Sequence, residues 1–297
     1  MIPKKVTIYE VGARDGLQNE KGVISTDVKI EFIGRLVAAG LPIVEATSFV
    51  HPKWVPQLAD AADVMTALGD AGKDMPVLVP NERGLDRALE LGLKHIAIFG
   101  SATETFAQKN LNRSLDEQFA MFEPTVARGR PGSTSAPTSP CASATRGRAR
   151  SPSTEVVSVG KRLFDLGASQ LSLGDTIGVG TAGHVKDLIA AFCQAGMEID
   201  DLAMHFHDTY GRAPANTYSA LQEGISTYDA SAGGLGGCPY AKSATGNLAT
   251  EDLVWMLNGL GIEHGVDLDA VVETSVWMAG HLGRPSPSAV VRALAAG

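Results

Sequence analysis

Two histidines, His205 and His207, stand two positions apart at the end of the apolar run LAMHF. In an extended strand, residues i and i+2 project from the same face about 6 to 7 Å apart, so the two imidazoles would lie side by side. One divalent cation can accept a nitrogen from each ring. The alternative is a pair of hydrogen-bonded histidines within an ordinary strand, and the spacing alone does not separate the two interpretations.

The apolar run VTIYEV is followed by GARDG, which places Arg14 and Asp15 directly after a predicted strand. Glycines on both sides allow the chain to turn tightly there. Asp15 offers a carboxylate oxygen to a cation, and the guanidinium of Arg14 offers a fork of donors to a carbonyl or enolate oxygen. The alternative is an ion pair that only terminates the strand.

Two further acids belong to predicted strands. Glu45 lies within the run IVEATSF, where it would be a buried carboxylate inside the sheet. Because buried carboxylates are rarely left unpaired, we expect Arg14 to be its partner, in a functional or a purely structural ion pair. Asp175 ends the run LSLGD, and it either contributes to the same site or caps the turn that follows.

The segment 232–253 is rich in glycine before a helix begins. Glycine permits backbone conformations closed to other residues, as an active-site lid requires. Cys238 has only glycine and proline beside it, so we favour chemistry over packing for its thiol. Asn247 either caps the following helix or gives an amide oxygen to a cation.

One carboxylate, two imidazoles and one amide oxygen, with positions left open for water, are the donor set of an octahedral cation site. Such a set suits Mg²⁺ or Mn²⁺ better than structural Zn²⁺. A cation of this kind chelates a hydroxyl group and a neighbouring carbonyl. The residues that would form the site are Asp15, His205, His207 and Asn247.

Strand-like and helix-like runs alternate along the chain. Apolar runs of strand character cover 6–11, 43–47, 76–79, 95–99, 169–173, 202–206 and 227–232. Helical spacing of apolar residues is found at 28–40, 115–127, 156–167 and 184–196. This alternation predicts an α/β fold with a parallel sheet covered on both faces, one strand short of a (β/α)₈ TIM barrel. Active sites of that fold lie at the carboxyl ends of the strands, where the polar residues above are found.

The missing barrel strand falls in a segment of anomalous composition. Residues 128–153 contain no large apolar residue and no acid, but five Arg, six Ser and four Pro. This composition predicts that the fifth barrel strand is lost or replaced. The segment could be a disordered linker, an insertion in a long loop, or the product of two compensating frameshifts. We favour the frameshifts, because the composition changes abruptly at both ends.

Composition limits the remaining possibilities. The formal net charge of −8 disfavours binding to nucleic acid, because phosphate contacts need a basic surface. No run approaches the roughly 18 apolar residues of a membrane span, and no cleavable leader is evident, so we expect no membrane partner and a cytoplasmic location. Three cysteines without zinc-like spacing indicate neither a disulfide framework nor structural zinc. We expect one barrel domain over 1–297 that acts on a small molecule.

Several long motifs resemble the 3-hydroxy-3-methylglutaryl-coenzyme A (HMG-CoA) lyase family. They are EVGARDGLQNEK, VEATSFVHPKWVPQ, LSLGDTIGVGT, HFHDTYG and GGLGGCPYAKSATGNLATEDLVWMLNGLGI. The resemblance covers 4–127 and 155 to about 290 and leaves out the anomalous segment. It implies a TIM-barrel metallolyase that cleaves HMG-CoA to acetoacetate and acetyl-CoA in leucine degradation.

The resemblance also implies roles for individual residues. It assigns Asp15, His205, His207 and Asn247 to the metal, Arg14 to the enolate oxygen, and Cys238 to protonation from a mobile loop. His205 would also accept the hydroxyl proton, and Glu45 and Asp175 would orient the inner residues. Basic side chains at Lys109 and Arg113 could meet the coenzyme A phosphates.

Three alternatives remain open from the sequence. The chain could act on another 3-hydroxyacyl-CoA, it could condense acetyl-CoA with a keto acid, or it could be an inactive remnant if the fifth strand is disrupted. The family is often dimeric, so a homodimer is a further expectation by analogy.

Overall fold

The computed structural model describes residues 1–129, 138–142, 153–237 and 246–295. Within these ranges, short parallel strands alternate with longer helices. The strands are β1 (Thr7–Glu10), β2 (Ile43–Val44), β3 (Thr47–Ser48), β4 (Val77–Leu78), β5 (Ile96–Ala97), β6 (Gly100–Ser101), β7 (Thr138–Ala142), β8 (Gln170–Asp175), β9 (Leu202–Phe206) and β10 (Thr227–Ala230).

The helices follow the strands in sequence. They are α1 (Thr26–Ala38), α2 (Ala61–Gly72), α3 (Glu82–Glu90), α4 (Glu104–Leu111), α5 (Leu115–Gly129), α6 (Ser153–Leu166), α7 (Ala182–Gln194), α8 (Ala213–Gln222), α9 (Thr250–Leu260), α10 (Leu268–Leu282) and α11 (Ala289–Leu294). Several helices have an amino-terminal residue whose side chain caps the first turn. The Asn81 amide oxygen accepts from the Gly84 N–H at α3, and the Ser288 hydroxyl accepts from the Val291 N–H at α11. No helix in the described ranges is long and apolar enough to cross a membrane.

The sheet closes into a barrel. Its strand order is β2-β1-β10-β9-β8-β7-β5-β4-β3, with β6 paired to β7, and every pairing of named strands is parallel. Because β2 and β3 are successive pieces of the second barrel strand, the two ends of this order meet. The predicted (β/α)₈ TIM barrel is confirmed, and the ends of its strands bring residues distant in sequence to one rim.

The core lies between the barrel and its ring of helices. All five residues of β9 are buried, and α1 packs Phe32, Ile33 and Leu36 against the sheet with no exposed surface. Spacing of one, three and four residues puts these three side chains on one face of the helix, as the sequence pattern predicts. Burial on both sides makes the strands rigid supports for side chains at their carboxyl ends.

The fifth strand comes from within the anomalous segment. The backbone of β7 runs between β5 and β8, in register from Thr138 opposite Gln170 to Ala142 opposite Gly174. The expectation that residues 128–153 cannot supply a strand is therefore wrong for 138–142, and replacement of the strand, not its loss, describes the backbone. The physical reason is that a parallel ladder is made by backbone N–H and C=O groups, whereas composition predicts only whether side chains can be buried.

Candidate metal centre

The chain leaves β1 through one turn of π-helix, Gly12–Gly16, which carries Arg14 and Asp15. The turn is held at its start by Glu10, whose carboxylate accepts the Gly12 N–H at 2.7 Å. A Cβ at residue 12 would lie 2.6 Å from that carboxylate, so a larger residue would have to displace Glu10. The local sequence therefore presents a guanidinium and a carboxylate, side by side, at the carboxyl end of the first strand.

Asp15, His205 and His207 form one cluster. Each offers an atom suited to a metal ion, and these atoms all lie within 4.8 Å of one another. The two imidazole centroids are 5.2 Å apart, as residues on one face of a strand should be. Both histidines are buried. The structure thus brings together residues separated by 190 positions of sequence.

Asn247 joins this cluster from the segment before α9. Its amide nitrogen donates to Asp15 Oδ2 at 2.8 Å and to the Leu235 carbonyl at 3.0 Å. Its amide oxygen is buried and accepts no hydrogen bond from the described residues. Helix α9 begins at Thr250 with Ala249 as its cap, so Asn247 is not the cap. A buried oxygen without a donor beside a carboxylate and two imidazoles is what a divalent cation would satisfy.

Arg14 is held by two carboxylates. Its Nε and Nη2 lie 2.9 and 2.8 Å from Glu45 Oε2, and its Nη1 lies 2.7 Å from Asp15 Oδ1. The Arg14–Glu45 partnership expected from the sequence is present. A guanidinium has five N–H donors, so these contacts leave one on each terminal nitrogen. Donors of this kind on a guanidinium suit an anionic oxygen.

Burial and charge set the protonation of this group. Burial alone would raise the pKa of Asp15, but Arg14 and the two histidines hold that pKa below its ordinary value. Burial raises the pKa of Glu45, and its contact with Arg14 opposes the increase. Asp15 is therefore ionised and able to hold a cation at neutral pH.

Asp175 has a local structural task. Its carboxylate oxygens accept the Val179 and Gly180 N–H groups at 3.1 and 2.6 Å. These contacts match the turn-capping alternative stated above. Burial nevertheless raises the pKa of Asp175. An orienting role for this carboxylate stays a prediction.

Of the remaining predicted residues, two lie in or just after α4 and one falls outside the described residues. Lys109 belongs to α4, which follows β6, and Arg113 is exposed just beyond that helix. Cys238 falls outside the described residues. The segment leading toward it is shaped to fit Asn247, because Gly236 has φ 119° and a Cβ there would lie 2.5 Å from the Asn247 amide nitrogen.

Three acids near the site escaped the sequence analysis. Asp229, in β10, contacts His205. Glu10, in β1, accepts hydrogen bonds from the Ala232 N–H at 2.9 Å and the Thr250 hydroxyl at 2.6 Å. Glu251, in α9, accepts the Gly233 N–H at 2.9 Å. The available signal was an acid inside or beside an apolar run, such as TYDASA for Asp229.

Glu10 and Glu251 anchor the start of the glycine-rich segment. Both are fully buried, and burial raises the pKa of Glu10 to about 7 and that of Glu251 to about 8. Glu10 links the turn that bears Asp15 to the backbone at Ala232. Glu251 holds Gly233 and accepts a hydrogen bond from the Ser275 hydroxyl. The start of the segment thus shares one support, Glu10, with the turn that bears Asp15.

A closed parallel barrel with this donor set at the carboxyl ends of its strands defines a class, the TIM-barrel enzymes that work with a divalent cation. Comparison with known families agrees with the class. The HMGL-like family model matches residues 5–277, and the chain belongs to this family.

Named relatives point the same way. The mitochondrial hydroxymethylglutaryl-CoA lyase of Rattus norvegicus is 48% identical over 98% of this chain and 90% of its own length. A solved hydroxymethylglutaryl-CoA lyase from Pseudomonas aeruginosa is 43% identical, with TM-score 0.94 over 99% of both chains. An HMG-CoA lyase from Acinetobacter baumannii, solved with coenzyme A and 3-methylmalate, is 32% identical with TM-score 0.91 over 98% of this chain and 95% of that one.

Proposed function

We propose that this protein is an enzyme that cleaves HMG-CoA to acetoacetate and acetyl-CoA, a step of leucine degradation, with a divalent cation held by Asp15, His205, His207 and Asn247. The observation that carries the proposal is the unsatisfied Asn247 amide oxygen beside Asp15 and the two histidines. Family membership and the identity to named lyases support the reaction, and the family depends on a divalent metal. The donor set favours Mg²⁺ or Mn²⁺.

The reaction breaks the bond between carbons 2 and 3 of the acyl chain. The proton leaves the tertiary hydroxyl on carbon 3, the carbon–oxygen bond becomes a ketone, and the bonding electrons move to carbon 2 as the enolate of acetyl-CoA. A proton then joins carbon 2. When bound, the cation would supply positive charge beside the hydroxyl oxygen, which favours loss of its proton.

Arg14 stabilises the charge that develops at the other end. Its two remaining N–H groups form a fork that can hold the thioester oxygen as it becomes an enolate oxygen. Glu45 and Asp15 fix the plane of the guanidinium, so the fork is in place before the substrate arrives. A preorganised donor pair loses little free energy to reorientation in the transition state.

The proton acceptor and donor follow from the resemblance. His205 is proposed to accept the hydroxyl proton and Cys238 to protonate carbon 2. The Asp229 contact bears on the first role, because a ring nitrogen that donates to Asp229 is not free to accept a proton. The other nitrogen is then the one that would bind the cation or accept the hydroxyl proton, and it can serve one of the two at a time.

The nucleotide end of the substrate would lie at the rim of the barrel. Lys109 and Arg113 remain our candidates for the coenzyme A phosphates, since both follow the fourth barrel strand. A related protein solved with coenzyme A supports an acyl-CoA as the substrate class. A homodimer and a cytoplasmic location stay predictions.

The related structure also holds 3-methylmalate, which favours one second candidate, a lyase for another hydroxyacyl-CoA. The test is to incubate the purified protein with Mg²⁺ and HMG-CoA, and separately with the coenzyme A thioester of 3-methylmalate. Acetoacetate from the first supports the proposal. Turnover of only the second replaces it, and no product from either, with folding intact, supports the inactive remnant.

A further inference from the structure

We propose that Asp229 is the positioning residue of the candidate metal centre. It would select one tautomer and one ring orientation of His205, so that the Nε2 lone pair faces Asp15 and His207. The proposal rests on the proposed cation site, and it concerns binding of the metal, not the chemical step.

The contact is direct and buried. Asp229 Oδ2 lies 3.1 Å from His205 Nδ1, and the two side chains are 8% and 10% exposed. An ionised carboxylate has only acceptors, so Nδ1 must carry the hydrogen of this bond. Nε2 is then unprotonated in the neutral ring and available to a metal ion.

A second contact holds the carboxylate itself. The Ser172 hydroxyl donates to the same Oδ2 at 2.8 Å. Ser172, His205 and Asp229 lie on β8, β9 and β10, which are neighbours in the barrel, and Asp229 is directly opposite His205 in the register. Three adjacent strands therefore fix the ring, and no loop has to close to complete the arrangement.

Two other acids near the site have different hydrogen-bond partners. Asp175 accepts backbone N–H groups of its own turn, and Glu45 is paired with Arg14. Within the described ranges, Asp229 is the carboxylate that contacts His205 Nδ1. The orienting role that sequence reasoning gave to Asp175 and Glu45 belongs, for His205, to Asp229.

The decisive variant is D229N, which keeps the shape of the side chain. Its amide group can donate to Nδ1, which moves the hydrogen to Nε2 and removes the lone pair from the cation side. Mn²⁺ binding, followed by electron paramagnetic resonance without substrate, should weaken by about ten- to a hundredfold. The visible absorption of bound Co²⁺ should change, because one nitrogen ligand is lost.

Two matched variants separate positioning from folding. T227V removes a hydroxyl from the same strand, two residues earlier, where the Thr227 hydroxyl accepts a hydrogen bond from the Gln170 side chain. It should bind Mn²⁺ like the unmodified protein. S172A keeps the carboxylate but removes its second hydrogen bond, so it should weaken Mn²⁺ binding by less than D229N does.

The outcomes divide cleanly. The proposal is overturned if D229N binds Mn²⁺ with unchanged affinity and gives an unchanged Co²⁺ spectrum, or if T227V loses as much affinity as D229N. Should D229N fail to melt cooperatively, S172A decides: weaker binding supports the proposal and unchanged binding overturns it. Failure of the proposed function is distinguishable, since it would show as Mn²⁺ binding by the unmodified protein without acetoacetate formation.

Discussion

Asn247 donates an amide hydrogen to Asp15 across 2.8 Å, and its own amide oxygen is buried and accepts no hydrogen bond from the described residues. The bond fixes the orientation of the amide group beside the cluster. It also connects the turn after β1 to the residues just before α9. Loss of this side chain should therefore affect the cation more than the fold.

N247A should weaken Mn²⁺ binding by about tenfold or more, because one oxygen ligand is lost and Asp15 loses a hydrogen bond. Calorimetric titration with Mn²⁺ measures the change. N258A is a suitable control, since Asn258 lies on the exposed end of α9 and its side chain contacts His264, away from the cluster. Equal loss of affinity in both variants would contradict the ligand role.

Arg14 should matter to kcat more than to KM. R14M removes the donors for the enolate oxygen, and kcat should fall by about 10² to 10³, measured as acetoacetate formed from HMG-CoA at saturating Mg²⁺. The same change leaves buried Glu45 without its partner, which should cost about 3 to 5 kcal/mol of unfolding free energy.

The double variant R14M/E45Q separates the two effects of Arg14. Removing the stranded carboxylate charge should restore much of the stability but none of the activity. Urea unfolding and the same assay are compared across the single and double variants. Recovery of kcat in the double variant would show that Arg14 acts only by neutralising Glu45.

Glu10 should make stability depend on pH in a defined window. Burial raises its pKa from 4.5 to about 7, so the folded protein binds more protons than the unfolded chain between these values. The contribution is fully present below pH 4.5 and is lost as the pH rises toward 7. The stability of E10Q relative to the unmodified protein should therefore rise across this window, by at most about 1.4 kcal/mol per pH unit.

Urea unfolding at several pH values measures that difference for Glu10. E263Q removes an exposed glutamate that pairs with Lys5, and it is the matched control. A constant difference between E10Q and the unmodified protein from pH 4.5 to 7 would show that Glu10 is not protonated there.

Removal of the cation should be reversible. EDTA should abolish acetoacetate formation, and added Mg²⁺ or Mn²⁺ should restore it. Because a ligand that binds only the folded state stabilises it, metal at about 100 times its Kd should add about 2.7 kcal/mol to the unfolding free energy. D15N should lose this increment in a thermal melt. Full activity in EDTA would exclude a metal-dependent step.

Some elements of the fold and site could be predicted from sequence patterns alone. The spacing of His205 and His207, and the position of Asp15 after an apolar run, were sufficient to predict one cluster, because parallel strands direct their carboxyl ends to one rim. Helix α1 was predictable from the spacing of Phe32, Ile33 and Leu36 alone.

Other elements depend on partners distant in sequence. Residues 138–142 form β7 only because β5 and β8 offer backbone groups on either side. Asp175 accepts hydrogen bonds from its own loop, whereas Asp229 contacts His205, although both are acids in strands. Which neighbour a buried carboxylate meets depends on strand register, and local composition carries no record of register.

The amino-acid sequence by itself determined the alternation of strands and helices, the chemistry of the four candidate ligands and the likeness to a lyase family. These follow from periodicity and residue type, which are local properties. Only the tertiary structure decided that Asn247 bonds to Asp15, that Glu10 and Glu251 anchor the start of the glycine-rich segment, and that Asp229 contacts His205. Those relationships require barrel closure, which sets distances of a few ångströms between groups far apart along the chain.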